Sequence, residues 1–110
     1  MRSEYERHLR ETLPVPLSDE DVAEILAAFM RSFSSCADEL RGLLDGTDFP
    51  AIRRVTHALK GFSSNVGAHD LQSLALSLNA AAHAGDSIAC ASLARDILAL
   101  YDRYAADLTP

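Results

Sequence analysis

Apolar residues in this chain recur at steps of three and four from near one end to the other, and nowhere do they alternate. Val22, Ile25, Leu26, Phe29, Phe33, Ala37, Leu40 and Leu44 form the longest such series. That period marks one face of an α-helix, whereas a half-buried strand would repeat every second residue. The rest of the chain follows the same rule. Ile52, Val55, Leu59, Phe62 and Val66 form a second stripe, and Leu71, Leu74, Ala75, Leu78 and Ala82 a third. The fourth is predicted to bury Cys90, Ala94, Ile97, Leu98, Tyr101, Ala105 and Leu108. Residues 2–12 predict a short additional helix with Tyr5 and Leu9 on one side.

Helix-breaking residues fall between these stripes. Pro14 and Pro16 end the first helix. Ser18 with Asp21 three residues later has the pattern of a capping box, with Leu17 placed to staple onto Val22. Gly46 is the predicted stop of the long helix, Thr47 or Asp48 caps the next with Pro50 in its first turn, and Gly67 breaks it. Gly85 ends the third long helix, and Asp86 or Ser87 caps the last. The connections are short, which favours antiparallel neighbours. The expected fold is therefore all-α: an up-down antiparallel four-helix bundle with a short extra N-terminal helix. The 110 residues suit a single domain, with its core bundle over about 18–108.

Charge and composition remove several classes of function. The net charge is −6, and nucleic-acid binding needs clustered Lys and Arg. No apolar run approaches the roughly 20 residues of a membrane span, and the charged N-terminus has no apolar signal core. A cytoplasmic protein is expected, with neither nucleic acid nor membrane as partner. Cys36 and Cys90 share no close-spaced motif and are read as buried free thiols. His8, His69 and His83 have no spacing with Cys, Asp or Glu that resembles a metal site, and Asp70 beside His69 suits a helix start. No phosphate-binding loop or dinucleotide fingerprint is present.

The second long helix carries the informative residues. At about 100° of rotation per residue, its apolar stripe clusters within about 80° of arc, and His57 lies almost opposite the centre. Arg53, Lys60, Gly61 and Ser64 fall on the same outer face, and Arg54 lies to the side. A glycine inside an exposed helix costs roughly 1 kcal/mol against alanine. Gly61 is either tolerated at that cost or is there because room is needed beside His57. A neutral imidazole is a nucleophile near neutral pH. Phosphoryl transfer depends on alignment and on stabilising spread negative charge, which Arg53 and Lys60 are placed to do. No acidic cluster on this face could hold Mg²⁺, so no cofactor is expected on this chain. The metal for a transfer would come from the partner. From the residues alone, an exposed histidine on a solvated helix face is an equally good reading.

The run His57-Ala58-Leu59-Lys60-Gly61-Phe62-Ser63-Ser64-Asn65-Val66-Gly67-Ala68 resembles the signature of the histidine-containing phosphotransfer (HPt) family. That signature is His-x-Leu-Lys-Gly-(any)-Ser/Ala, followed a few residues later by Gly-Ala. His57, Leu59, Lys60, Gly61, Ser63, Gly67 and Ala68 match it. Downstream, Leu71, Leu78 before Asn79, and Gly85-Asp86 also fit, so the resemblance covers residues 18–108 in outline. It implies a four-helix bundle in which His57 is phosphorylated, Lys60 assists electrostatically and Gly61 leaves the site open. The implied partners are response-regulator receiver domains or a hybrid sensor histidine kinase, and the implied role is a phosphocarrier without kinase activity of its own. Two positions depart from the pattern. Thr56 stands where alanine is common, and Asn79 stands where Glu or Gln more often hydrogen-bonds the non-reacting imidazole nitrogen.

On the third long helix Gln72, Leu76, Asn79 and His83 form a flank expected to border the His57 face and to join in partner docking, with Leu76 as its apolar centre. A monomer is expected, since the bundle closes its own core. The competing reading is a non-catalytic helical-bundle adaptor that binds a receiver or kinase without phosphotransfer. A two-helix dimerisation and phosphoacceptor unit of a sensor kinase fits poorly with four capped helices.

Overall fold

The computed structural model describes residues 2–12 and 16–108, and among these it contains five helices and no strand. They are α1 (Arg2–Thr12), α2 (Asp19–Arg41), α3 (Phe49–Val66), α4 (His69–His83) and α5 (Ser87–Leu108). α2 packs on α3, α3 on α4, α4 on α5, and α5 returns to α2, while α1 lies against α3. This is the expected up-down four-helix bundle with a short extra helix. Its extents are 44 × 26 × 17 Å, and the long axis is set by helices of 22 and 23 residues at 1.5 Å rise per residue.

Local chemistry sets most of the boundaries. Ser18 accepts from the Asp21 amide at 3.0 Å, and the Asp21 carboxylate accepts from the Ser18 amide at 3.1 Å, which completes the capping box. Asp48 caps α3 through the Ala51 amide at 3.2 Å, with Pro50 in the first turn. Gly67 closes α3 in the left-handed conformation at φ 70°, and the Ala68 amide then bonds the Ser63 carbonyl at 3.0 Å. Asp86 accepts from the Ala89 amide at 3.1 Å and caps α5. Pro14, the other expected stop of α1, lies outside the described residues.

Two expectations need correction. α2 ends at Arg41 with Gly42 as its cap, five residues before the predicted stop at Gly46, so Leu44 sits in the connection. Gly46 has a different task. It adopts φ 73°, and a Cβ there would stand 2.2 Å from the Ser87 carbonyl oxygen and 3.0 Å from the Ala91 amide nitrogen. The α2–α3 connection therefore packs directly on the first turn of α5. In α5 itself, the fully buried face is Cys90, Ala94, Ile97, Leu100, Tyr104 and Leu108. Leu98, Tyr101 and Ala105 are only half-buried, and Leu100 and Tyr104 were missed.

Phe33 sits at the centre of the core, wholly buried, with the rings of Phe29, Phe62, Tyr101 and Tyr104 at 5.1 to 6.3 Å. Such tilted and edge-to-face pairs add to the apolar area already buried. Tyr104 donates to the Asp70 carboxylate, which ties α5 to the start of α4, and Tyr5 of α1 packs on Tyr104 at 5.6 Å. The His8 ring lies over Gly67, where a Cβ would approach its Cγ to 2.6 Å. Cys36 and Cys90 are buried free thiols, as expected for residues on inward faces.

Candidate functional site

α3 divides into a buried face, an exposed face and a seam. Ile52, Val55, Leu59 and Val66 are buried, and Phe62 is half-buried against α2. His57, Arg54, Gly61 and Ser64 are exposed, and Arg53 and Lys60 are half-buried beside them. The helical geometry read from the sequence therefore holds at each of these positions. α3 contains three cations and no carboxylate. Among the described residues none of Arg53, Arg54 and Lys60 is paired with an acid, whereas Arg10 and Arg41 pair with Asp19 and Asp38. A chain of net charge −6 thus presents a positive strip around one exposed imidazole. Unpaired cations at such a strip leave their full field for an incoming anion.

Gly61 is the gap in this strip. A Cβ built there meets nothing within 4 Å, so the space one turn beyond His57 is open. The packing of the chain does not demand a glycine at this position.

The third face of α3 was not legible beforehand. Thr56 and Ser63 are wholly buried polar residues, at roughly 100° and 120° to one side of His57. Ser63 donates to the Lys60 carbonyl at 3.3 Å. The single hydroxyl proton of Thr56 is shared between two acceptors, the Arg53 carbonyl oxygen at 2.8 Å and, across the seam, Asn79 Oδ1 at 3.1 Å. The two departures from the family pattern therefore meet each other. Among the described residues Asn79 makes no hydrogen bond to His57. Its carbonyl oxygen is engaged by the residue before the histidine instead.

Of the four α4 residues singled out from the sequence, Asn79 reaches this seam through Thr56. Gln72 and Asn79 are half-buried and His83 is exposed. Leu76 is 51% exposed, one of two large apolar side chains so open among the described residues. The other, Ile88 at 83%, lies in the first turn of α5 and was not singled out from the sequence. His8 and His69 face each other edge-on at 6.2 Å near the α1 end of the molecule. Among the described residues no group of three or more His, Cys, Asp or Glu side chains could hold a metal ion, and no helix is long and apolar enough to cross a membrane.

Comparison with known proteins fits this geometry. The family model for the Hpt domain matches residues 24–107. No curated protein and no solved structure gives a significant match. Proteins of this family carry a phosphoryl group on a histidine in phosphorelays and act as carriers rather than kinases, meeting receiver domains or kinases. With the matched segment spanning α2 to α5 and the exposed histidine on α3, the chain belongs to the Hpt domain family.

Proposed function

We propose that this chain is the phosphocarrier of a multistep relay, taking a phosphoryl group on His57 from the aspartate of one receiver domain and passing it to another. The observation that carries this reading is the exposed His57 at the centre of a cationic strip free of carboxylates, with open space at Gly61. A ring nitrogen of His57 attacks the phosphorus of an aspartyl phosphate. The N–P bond forms as the acyl P–O bond breaks, and the carboxylate leaves with its electron pair. The return step runs the same path backwards. Negative charge on the transferring group is spread over three oxygens, and Arg53 and Lys60 flank the place where it develops. Arg54 extends the positive field. Mg²⁺ is supplied by the receiver, and this chain works as a monomer without a cofactor of its own. Gln72, Leu76, Asn79, His83 and Ser64 form the rim on which the receiver docks, with the receiver backbone passing over Gly61.

Transfer from a phosphorylated receiver domain to the purified chain tests the proposal, beside a His57→Gln variant. The expected result is an acid-labile, base-stable label on the wild type and none on the variant. ATP alone should label neither. If a receiver binds the wild type yet no receiver from a panel labels it, the chain is an adaptor and not a carrier.

A further inference from the structure

The bond between Thr56 and Asn79 joins two positions that the family pattern would fill differently, and it does so one residue from the reactive histidine. Thr56 is fully buried, and its hydroxyl already has a partner within its own helix, the Arg53 carbonyl oxygen at 2.8 Å. That carbonyl and Asn79 Oδ1 compete for the one hydroxyl proton, which lies between them. The contact to Asn79 Oδ1 at 3.1 Å spans 23 residues and links α3 to α4. Thr56 follows Arg53 by three positions and precedes Lys60 by four, so the three share one ridge of α3 adjoining His57. Asn79 therefore meets α3 on the turn that joins Arg53 to Lys60. It has no bond to His57 through which to act directly.

We infer that Thr56 and Asn79 form a positioning pair for phosphotransfer: the hydroxyl captures the short amide and fixes the edge of α4 against the reactive turn, so that Arg53 and Lys60 are held on either side of His57. The inference rests on the carrier reading above. Neither residue touches the phosphoryl group. Asn79 works on His57 through Thr56, and the threonine makes up for the methylene that asparagine lacks relative to glutamine. Small displacements of charged groups around a transferring phosphoryl are costly in rate, because little else lowers the barrier.

The test compares wild type, His57→Gln, Thr56→Val, Thr56→Ser, Asn79→Ala and the Thr56→Val/Asn79→Ala double variant, each confirmed folded by circular dichroism. A phosphorylated receiver serves as donor. Thr56→Val keeps the shape and loses the hydroxyl. It is expected to slow the transfer step on the order of tenfold while the half-saturating receiver concentration stays unchanged. Thr56→Ser should restore the rate, and the double variant should be no slower than Asn79→Ala alone. Three results would overturn the pair: Thr56→Val transferring at the wild-type rate, Thr56→Ser as slow as Thr56→Val, or additive losses in the double variant. In each of those cases label on wild type and none on His57→Gln leaves the carrier reading intact. Absence of label on the wild type overturns both.

Discussion

At Gly61 an added Cβ would meet nothing within 4 Å, so alanine fits there without strain. Because glycine in an exposed helix interior costs roughly 1 kcal/mol, Gly61→Ala should stabilise the chain by about that amount in urea unfolding. On the proposed reading the same variant should slow phosphotransfer, since the methyl group would fill the space beside His57 over which a receiver is proposed to pass. A gain in stability with an unchanged transfer rate would show that the gap serves nothing. Leu76→Glu probes the other edge of the site. At 51% exposure the change should move stability by no more than about 0.5 kcal/mol. The receiver concentration needed for half-maximal transfer should rise, and unchanged relay rates would remove Leu76 from the docking rim. The sequence made His57, Gly61 and Leu76 readable because exposure on a helix follows from angle alone. Thr56 and Ser63 were not readable in the same way. Their burial depends on which helix lies alongside and on what it offers a hydroxyl, and nothing within α3 encodes that Asn79 is the partner.

Among the elements, α3 and α4 were the most legible, because each has one narrow apolar stripe and polar residues elsewhere. α5 was harder. Its Ala91, Ala94, Ala99, Ala105 and Ala106 contribute little to a periodic signal. Leu98 and Leu100, or Tyr101 and Tyr104, compete for the inward face. The winner is set by the partners: Tyr104 reaches the Asp70 carboxylate and the rings of Phe29 and Phe33, while Tyr101 stays at the edge beneath Arg41, 5.8 Å from its guanidinium carbon. The end of α2 was misplaced for a related reason. Two glycines, Gly42 and Gly46, could each stop the helix, and only the packing on α5 separates their roles. Gly46→Ala tests that separation. The new Cβ would need φ 73° and would press on the Ser87 carbonyl and Ala91 amide, backbone groups that cannot swing aside. A loss of about 1–3 kcal/mol is expected from the strained conformation, with more from the clash. Thermal unfolding reads it directly, and a melting temperature equal to wild type would mean that the connection moves off α5 without cost.

For the whole molecule, short connections and four apolar stripes were enough to fix the order in which the four bundle helices pack, because from α2 to α5 each neighbour along the chain is also a neighbour in space. How α1 docks was beyond the sequence, since His8 over Gly67 and Tyr5 on Tyr104 join residues that share no local pattern. The packing that results has a consequence for pH that belongs to the bundle and not to the His57 strip. Burial pushes the Cys36 thiol from 9.0 up to about 11, with the Glu39 charge adding to the effect. Burial likewise raises Cys90, Tyr5 and Tyr104, and for Tyr104 the bond to Asp70 pushes further in the same direction. All four groups hold their protons more tightly in the folded chain than in the unfolded one. Below the ordinary thiol value both states are fully protonated there and the groups have no effect on stability with pH. Between about 9 and about 11 the unfolded chain has released the Cys36 proton while the folded chain still binds it, so stability falls as pH rises through that window. The urea midpoint should therefore hold near pH 8 and decline towards pH 11, as the free energy of unfolding falls by up to roughly 1.4 kcal/mol per pH unit for each proton of difference. Cys36→Ala should start from a lower midpoint, because a buried side chain is trimmed, but should decline less steeply. An equal slope in the two proteins would show that Cys36 does not contribute and that the alkaline loss comes from the tyrosines and Cys90.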